Sequence, residues 1–166
     1  MSTAPSNEFV ITRTFNAPRD KVFKAWTDPA ELKKWFAPEG SDLSEYKMDF
    51  KPGGMFHYCQ KGRDGSEVWG KWVFVEIVKP EKLVLIQSFS DRSGASTRHP
   101  MAPVWPLETH SITTFVEKNG KTEMTLRWTP YKSSEEEVKM FLGAFSNMNQ
   151  GWAGTFAKLD DYFAKN

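Results

Sequence analysis

Only one cysteine, Cys59, occurs in the chain, so no disulfide can form within it and nothing points to an oxidising compartment. Histidines are equally scarce. His57, His99 and His110 stand at no spacing that would set two imidazoles together on one helix, so no metal and no other cofactor is expected. Neither sign of charge is in excess, with 22 Lys and Arg against 21 Asp and Glu, which removes the electrostatic argument for nucleic acid or an anionic membrane. No stretch approaches the ~18 apolar residues of a membrane helix. The opening MSTAPSNE has neither the basic nor the apolar part of a secretion signal, and a soluble cytoplasmic protein is expected. There is no GxSxG element, and Gly53-Gly54 is not followed by a helix at phosphate-loop spacing. Residues 1–7 are expected to be disordered and 8–166 to form one domain.

What the chain has in quantity is aromatic surface: 7 Trp and 13 Phe, more ring than a core of this size ordinarily uses. Five of these rings lie in the last stretch, Ser134 to Phe163. There Val138, Phe141, Leu142, Phe145, Met148, Trp152, Phe156, Leu159 and Phe163 recur every three or four residues, the stripe of a single long amphipathic helix. A serine at 133 or 134 followed by a glutamate at 136 or 137 has the form of a capping box. Gly143, Gly151 and Gly154 interrupt the stripe, each at about 1 kcal/mol relative to Ala. Close packing, a bend, or room left beside the helix would each account for them. Asn149 reads either as a solvated edge residue or as a polar group facing a cavity.

Ahead of the helix, Glu8 to Phe15 alternates as a strand, and Pro18 and Asp28-Pro29 open two short helices carrying Val22, Phe23, Trp26 and Leu32, Trp35, Phe36. Strand runs follow over 43–50, 55–61, 67–78, 83–89, 107–117 and 122–129, joined by turn signals such as Gly62-Arg63-Asp64-Gly65 and Asn119-Gly120. Residues 91–106 form a long Ser-, Gly- and Pro-rich loop suited to a lid. The fold class is therefore α+β: a curved seven-stranded antiparallel sheet wrapped around a long C-terminal helix, with two short helices after the first strand. A rod about 10 Å wide does not fill such a concavity, and the remaining space is where a ligand would sit.

Several stretches carry a resemblance. PRDKVFKAWTDPAELKKWF at 18–36, WFAPEG at 35–40, PGGMF at 52–56 and RDGSEVWGKWVFVEIVKPEKL at 63–83 stand in order with the late Gly-Trp pair and Leu159. Together they resemble the START-like (SRPBCC, polyketide cyclase-like) helix-grip superfamily, in the bacterial branch similar to the C-terminal domain of the activator of the 90-kDa heat-shock protein's ATPase. The resemblance spans residues 8 to 163 and implies a deep apolar cavity. The eukaryotic co-chaperone has an additional N-terminal domain for which this chain has no room, which disfavours a chaperone partner.

Three functions follow as expectations. The first is binding of a small, mostly apolar molecule, lipid-like or aromatic, between sheet and helix. Its site would be drawn from Trp35, Phe56, His57, Trp72, Phe74, Gln87, Phe89, Trp105, His110, Trp128, Phe145, Met148, Asn149, Trp152 and Phe156, with His57, Gln87, His110 or Asn149 orienting the ligand. The second is an enzyme in the same cavity, a cyclase, dehydratase or hydrolase, using a histidine or a buried Glu among Glu67, Glu76 and Glu108. Glu76 stands in step with Trp72 and Phe74, although an outward Glu is the commoner case. The third is a co-chaperone-like interaction module with an exposed apolar patch. Cys59 reads as a small core residue rather than a nucleophile. A homodimer stays open.

Overall fold

The computed structural model describes residues 8–36, 41–98 and 104–165. The expectations for the N-terminal residues 1–7 and for His99 lie outside these. Strand β1 (Phe9–Phe15) leads into α1 (Arg19–Thr27) and α2 (Pro29–Trp35). Strands β2 (Ser41–Met48), β3 (Met55–Gly62), β4 (Glu67–Val78), β5 (Lys82–Ser90), β6 (Ser96–Thr97), β7 (Glu108–Lys118) and β8 (Lys121–Tyr131) follow, then α3 (Glu135–Gly143) and α4 (Phe145–Lys165). The sheet is open and antiparallel in the order β1-β8-β7-β5-β4-β3-β2, with the two-residue β6 paired to β5.

The α+β architecture is the expected one, with two adjustments. The 91–106 loop contributes β6, so the sheet has eight strands. The C-terminal helix is two helices that meet at Ala144, whose N–H bonds to the Phe141 carbonyl at 3.1 Å before the regular pattern resumes with Met148 N–H to the Ala144 carbonyl at 2.8 Å. Periodicity runs across such a joint undisturbed, because Phe141 and Phe145 keep a gap of four on either side of it. Gly143, just before the joint, matches the bend among the three reasons given for the glycines.

Register aligns the concave face in rows. Phe74, Leu85, Ser111, Trp128 and Phe9 lie across one row, and Leu83, Thr113, Leu126 and Ile11 across the next. The end of this face nearest α1 and α2 is solid. Phe15, Val22, Phe23, Leu32, Trp35, Phe115, Phe156, Leu159 and Phe163 form one buried cluster with Phe56, Phe74 and Met124. The two short helices therefore share with α4 the filling of a concavity that sequence reasoning assigned to the last helix alone.

The capping box at α3 forms as expected, with Ser134. Glu137 N–H donates to Ser134 Oγ at 3.2 Å, Ser134 N–H donates to Glu137 Oε1 at 2.7 Å, and Arg98 pairs with the same carboxylate. The Ser134 backbone N–H, and after it Arg98, hold the Glu137 carboxyl below the usual carboxylate range. Its folded pKa lies below its unfolded one, so the stabilisation is complete above the ordinary carboxylate value and is lost as pH falls through the folded value. Glu137→Gln should lower stability at neutral pH and flatten its decline on the acid side, read from urea unfolding between about pH 3 and pH 7. An unchanged acid limb would remove Glu137 from this role.

Candidate functional site

Alternation on β3 sends Phe56, Tyr58 and Gln60 to the concave side and His57 and Cys59 to the convex side. Across the sheet Tyr58 faces Gly70, which faces Phe89, while Phe56 faces Trp72, which faces Gln87. The glycine is needed there. A Cβ on Gly70 would stand 2.6 Å from the Tyr58 hydroxyl oxygen and 2.7 Å from its ring, so the phenol lies flat over bare backbone. Burial holds the Tyr58 phenol well above its ordinary pKa, so it stays neutral.

Between this part of the sheet and α4 lies a cleft of about 870 Å³. Tyr58 and Gln60 on β3, Gln87 and Phe89 on β5 and Trp128 on β8 form one wall. Opposite them α4 presents Met148, Trp152, Gly151 and Gly154, then Thr155, Lys158 and Asp161, and Phe36 bounds the end by α2. At Gly151 and Gly154 an added Cβ would meet nothing within 4 Å. These two glycines therefore border open space rather than a close helix contact.

Trp152 stands at the back of the cleft. It stacks on Phe156 with ring centres 5.3 Å apart and on Trp26 at 6.0 Å, and meets Trp128 edge-on at 6.4 Å. Behind it the side chains of Trp26, Trp72, Leu85, Gln87, Ser111 and Trp128 enclose a small recess. The indole N–H groups of Trp26 and Trp128 are buried with no hydrogen-bond acceptor among the described residues, while that of Trp72 has the Tyr58 hydroxyl beside it. Each such group costs about 1–3 kcal/mol relative to a satisfied one.

Of the residues singled out from sequence, Gln87, Phe89, Trp128, Met148 and Trp152 line the cleft, and Trp72 lines the recess behind it. Trp35, Phe56, Phe74 and Phe156 are sealed in the core, each no more than 1% exposed. Trp105 and Phe145 belong to a separate aromatic group at the α3 end, where Trp105 packs on Trp128 and Phe141 and Phe145 packs on Phe9 and Phe141. Asn149 is exposed and faces away from the cleft-lining set.

Both described histidines are on the convex face. His57 Nε2 lies 3.1 Å from Ser90 Oγ and from the Asp91 carbonyl, and its ring packs on Trp69. His110 stacks on Tyr131, on the side it shares with the exposed Val116, so the condition on which it would have pointed inward is not met. Glu76 leaves the Trp72 and Phe74 face because a bulge between Phe74 and Glu76 inserts one residue, and it pairs with Lys82 at 3.0 Å instead. Glu67 and Glu108 also alternate to the convex side. The described start of the 91–106 loop lies over that face as well, with Lys71 Nζ donating to the Gly94 carbonyl at 2.9 Å. Cys59 beneath it is buried, and burial raises its thiol pKa, as suits a core residue.

Several lining residues escape the sequence reading: Phe36, Tyr58, Gln60, Thr155, Lys158 and Asp161. Tyr58 and Gln60 carry a signal, since they continue the period of two from Phe56. On α4, Gly151, Thr155 and Lys158 follow each other by four and three, a polar flank next to the apolar stripe that resembles any solvated helix edge. Among the described residues no group of three or more His, Cys, Asp or Glu is placed to hold a metal ion.

No curated protein matches the sequence. Solved structures similar to this one include a protein from Arthrobacter aurescens, 26% identical with a TM-score of 0.79, covering 97% of this chain and 88% of that one. Another, from Mycobacterium smegmatis, is 23% identical with a TM-score of 0.75 over 95% of this chain and 90% of that one. A third, from Silicibacter pomeroyi, is 18% identical with a TM-score of 0.68 over 95% and 97%. These likenesses carry the fold, the START-like helix-grip arrangement. Residues 16–164 match the family described as activator of Hsp90 ATPase homolog 1-like protein, and the chain belongs to that family.

Proposed function

We propose that this protein binds a small, mostly apolar organic molecule in the cleft between α4 and the sheet. One observation carries the reading: about 870 Å³ of space bounded by Phe36, Phe89, Trp128 and Trp152, in a fold whose remaining concave face is filled. That volume is in the range of small-molecule sites, about 300–1,000 Å³. Burial of apolar ligand surface against the rings supplies the driving force. Gln60, Gln87 and Thr155 supply the few polar contacts that set orientation.

Binding is favoured over catalysis by a histidine, because His57 and His110 are on the other side of the sheet. The family description refers to an activator of the Hsp90 ATPase. Exposed apolar side chains are spread over several elements, with Val10, Val75 and Val116 on β1, β4 and β7, Tyr46, Phe50 and Met55 around the β2–β3 turn, and Met140 and Leu142 on α3.

The test is Gly154→Leu. The substitution removes a helix-interior glycine, worth about 0.5–1 kcal/mol of added helix stability, and places an isobutyl group in open space beside the cleft wall. Fluorescence titration with the neutral dye N-phenylnaphthylamine should show saturable binding to the unaltered protein and at least about tenfold weaker binding to the variant, with no loss of thermal stability. Equal affinities would move the site elsewhere.

A further inference from the structure

Trp26, Trp72 and Trp128 come from α1, β4 and β8, yet all three border the one recess behind Trp152. Its free volume is about 10 Å³, close to what a single water-sized atom needs. The Trp72 indole has the Tyr58 hydroxyl as its acceptor, whereas the buried indole N–H groups of Trp26 and Trp128 have none among the described residues. Two further indoles have acceptors of their own. Trp35 donates to the Ala25 carbonyl at 3.0 Å and Trp69 to Glu67 at 3.3 Å. An indole N–H only donates, so Trp26 and Trp128 cannot satisfy each other. They leave a chamber with surplus donors and space for one small acceptor.

We infer that this recess seats the neutral carbonyl oxygen of a ligand whose flat apolar body occupies the cleft, the oxygen accepting hydrogen bonds from the indole N–H groups of Trp26 and Trp128. The inference rests on the cleft being a ligand site. Neutrality follows from the lining, which holds no Lys, Arg or His: a carboxylate there would be a buried charge with no partner. A carbonyl oxygen, with two lone pairs and no hydrogen of its own, matches the two unpartnered donors. Access follows from shared walls, since Gln87, Trp128 and Trp152 border both cleft and recess, and a group that passes the Trp152 ring moves from one to the other. Ser111 and Thr113 form the floor, and their small side chains leave the atom-sized space that larger residues would fill.

The experiment compares two probes of one shape, acetonaphthone and isopropenylnaphthalene, which differ by a carbonyl oxygen in place of a methylene. The ketone should bind about tenfold more tightly by calorimetry, the effect of one well-made hydrogen bond in a buried site. With the ¹⁵N-labelled protein, the ketone alone should move the indole N–H resonances of Trp26 and Trp128 downfield. In Trp26→Phe the ratio of the two affinities should fall, and if that variant does not fold, the resonances of the unaltered protein decide. Equal affinities with equal indole responses would overturn the recess assignment, leaving a buried water as the partner of these donors and the cleft as an apolar site. If neither probe binds, the ligand-binding reading of the cleft falls, and this inference falls with it.

Discussion

Replacing Phe156 by Ala should remove about 3–5 kcal/mol of stability, the usual cost of truncating a sealed phenylalanine. For a chain of this size that lowers the thermal midpoint by about 6–20 °C. The residue is fully buried and touches rings from two other elements, Phe15 on β1 at 5.7 Å and Trp26 on α1 at 6.4 Å, and Trp152 one turn earlier on its own helix at 5.3 Å. No alanine methyl spans those gaps, and the rigid rings around it cannot collapse into the space, so the cost falls at the upper end for large-to-small changes. Phe156→Leu should recover roughly half by refilling much of the volume. A loss below about 1 kcal/mol for the alanine variant, measured by differential scanning calorimetry, would mean that α4 is not anchored through this ring.

The second large effect is expected at Trp152, where affinity and stability separate. This indole is only partly buried: one side packs on Trp26 and Phe156 while the residue also lines the cleft. Trp152→Ala should weaken N-phenylnaphthylamine binding by about tenfold or more, since the ligand loses an aromatic wall and the cleft merges with the recess behind it. Trp152→Phe keeps a ring on Phe156 and should restore most of the stability but less of the affinity, because the smaller ring reaches less far across the cleft. If both variants bound the dye as the unaltered protein does, Trp152 would lie outside the site and the cleft reading would lose its central residue.

Much of this architecture can be read from residue spacing. The stripe from Phe141 to Phe163, the proline-opened helix pair and the turn at Asn119-Gly120 are local signals, and the structure has each of them where local chemistry puts it. The facing of individual polar residues was harder, for a reason visible on β7. Its inward set is Thr109, Ser111, Thr113 and Phe115, while Ile112 and Val116 face outward, so a rule that sends the apolar residues inward picks the wrong parity. The small inward residues are there because tryptophan rings from α1, β8 and α4 occupy the space above them, which is a fact about distant segments. Glu76 was misleading for another reason. A single extra residue in β4 reverses which side the following residues face, and nothing in the run VWGKWVFVEIV marks where it falls.

The cleft follows the same division. Gly151 and Gly154 announced spare room beside the last helix, and Trp152, Trp128 and Gln87 were identifiable as its neighbours. The contribution of α1 and α2 to filling the hollow was not. Trp35 and Phe56 carry the same kind of ring as Trp128 and Phe89, and only the tertiary arrangement separates those that seal the interior from those that border the opening.

The pairing of β1 with β8 has a consequence for how the chain is made. Phe9 lies opposite Trp128 and Phe15 opposite Thr122, with ion pairs from Glu8 to Arg127 and from Arg13 to Asp160. During translation the first strand therefore waits, unmatched, until the ribosome has released almost everything that follows it. Such distant partners slow a domain's assembly, and the strand that leads the sequence is among the last to find its place in the sheet.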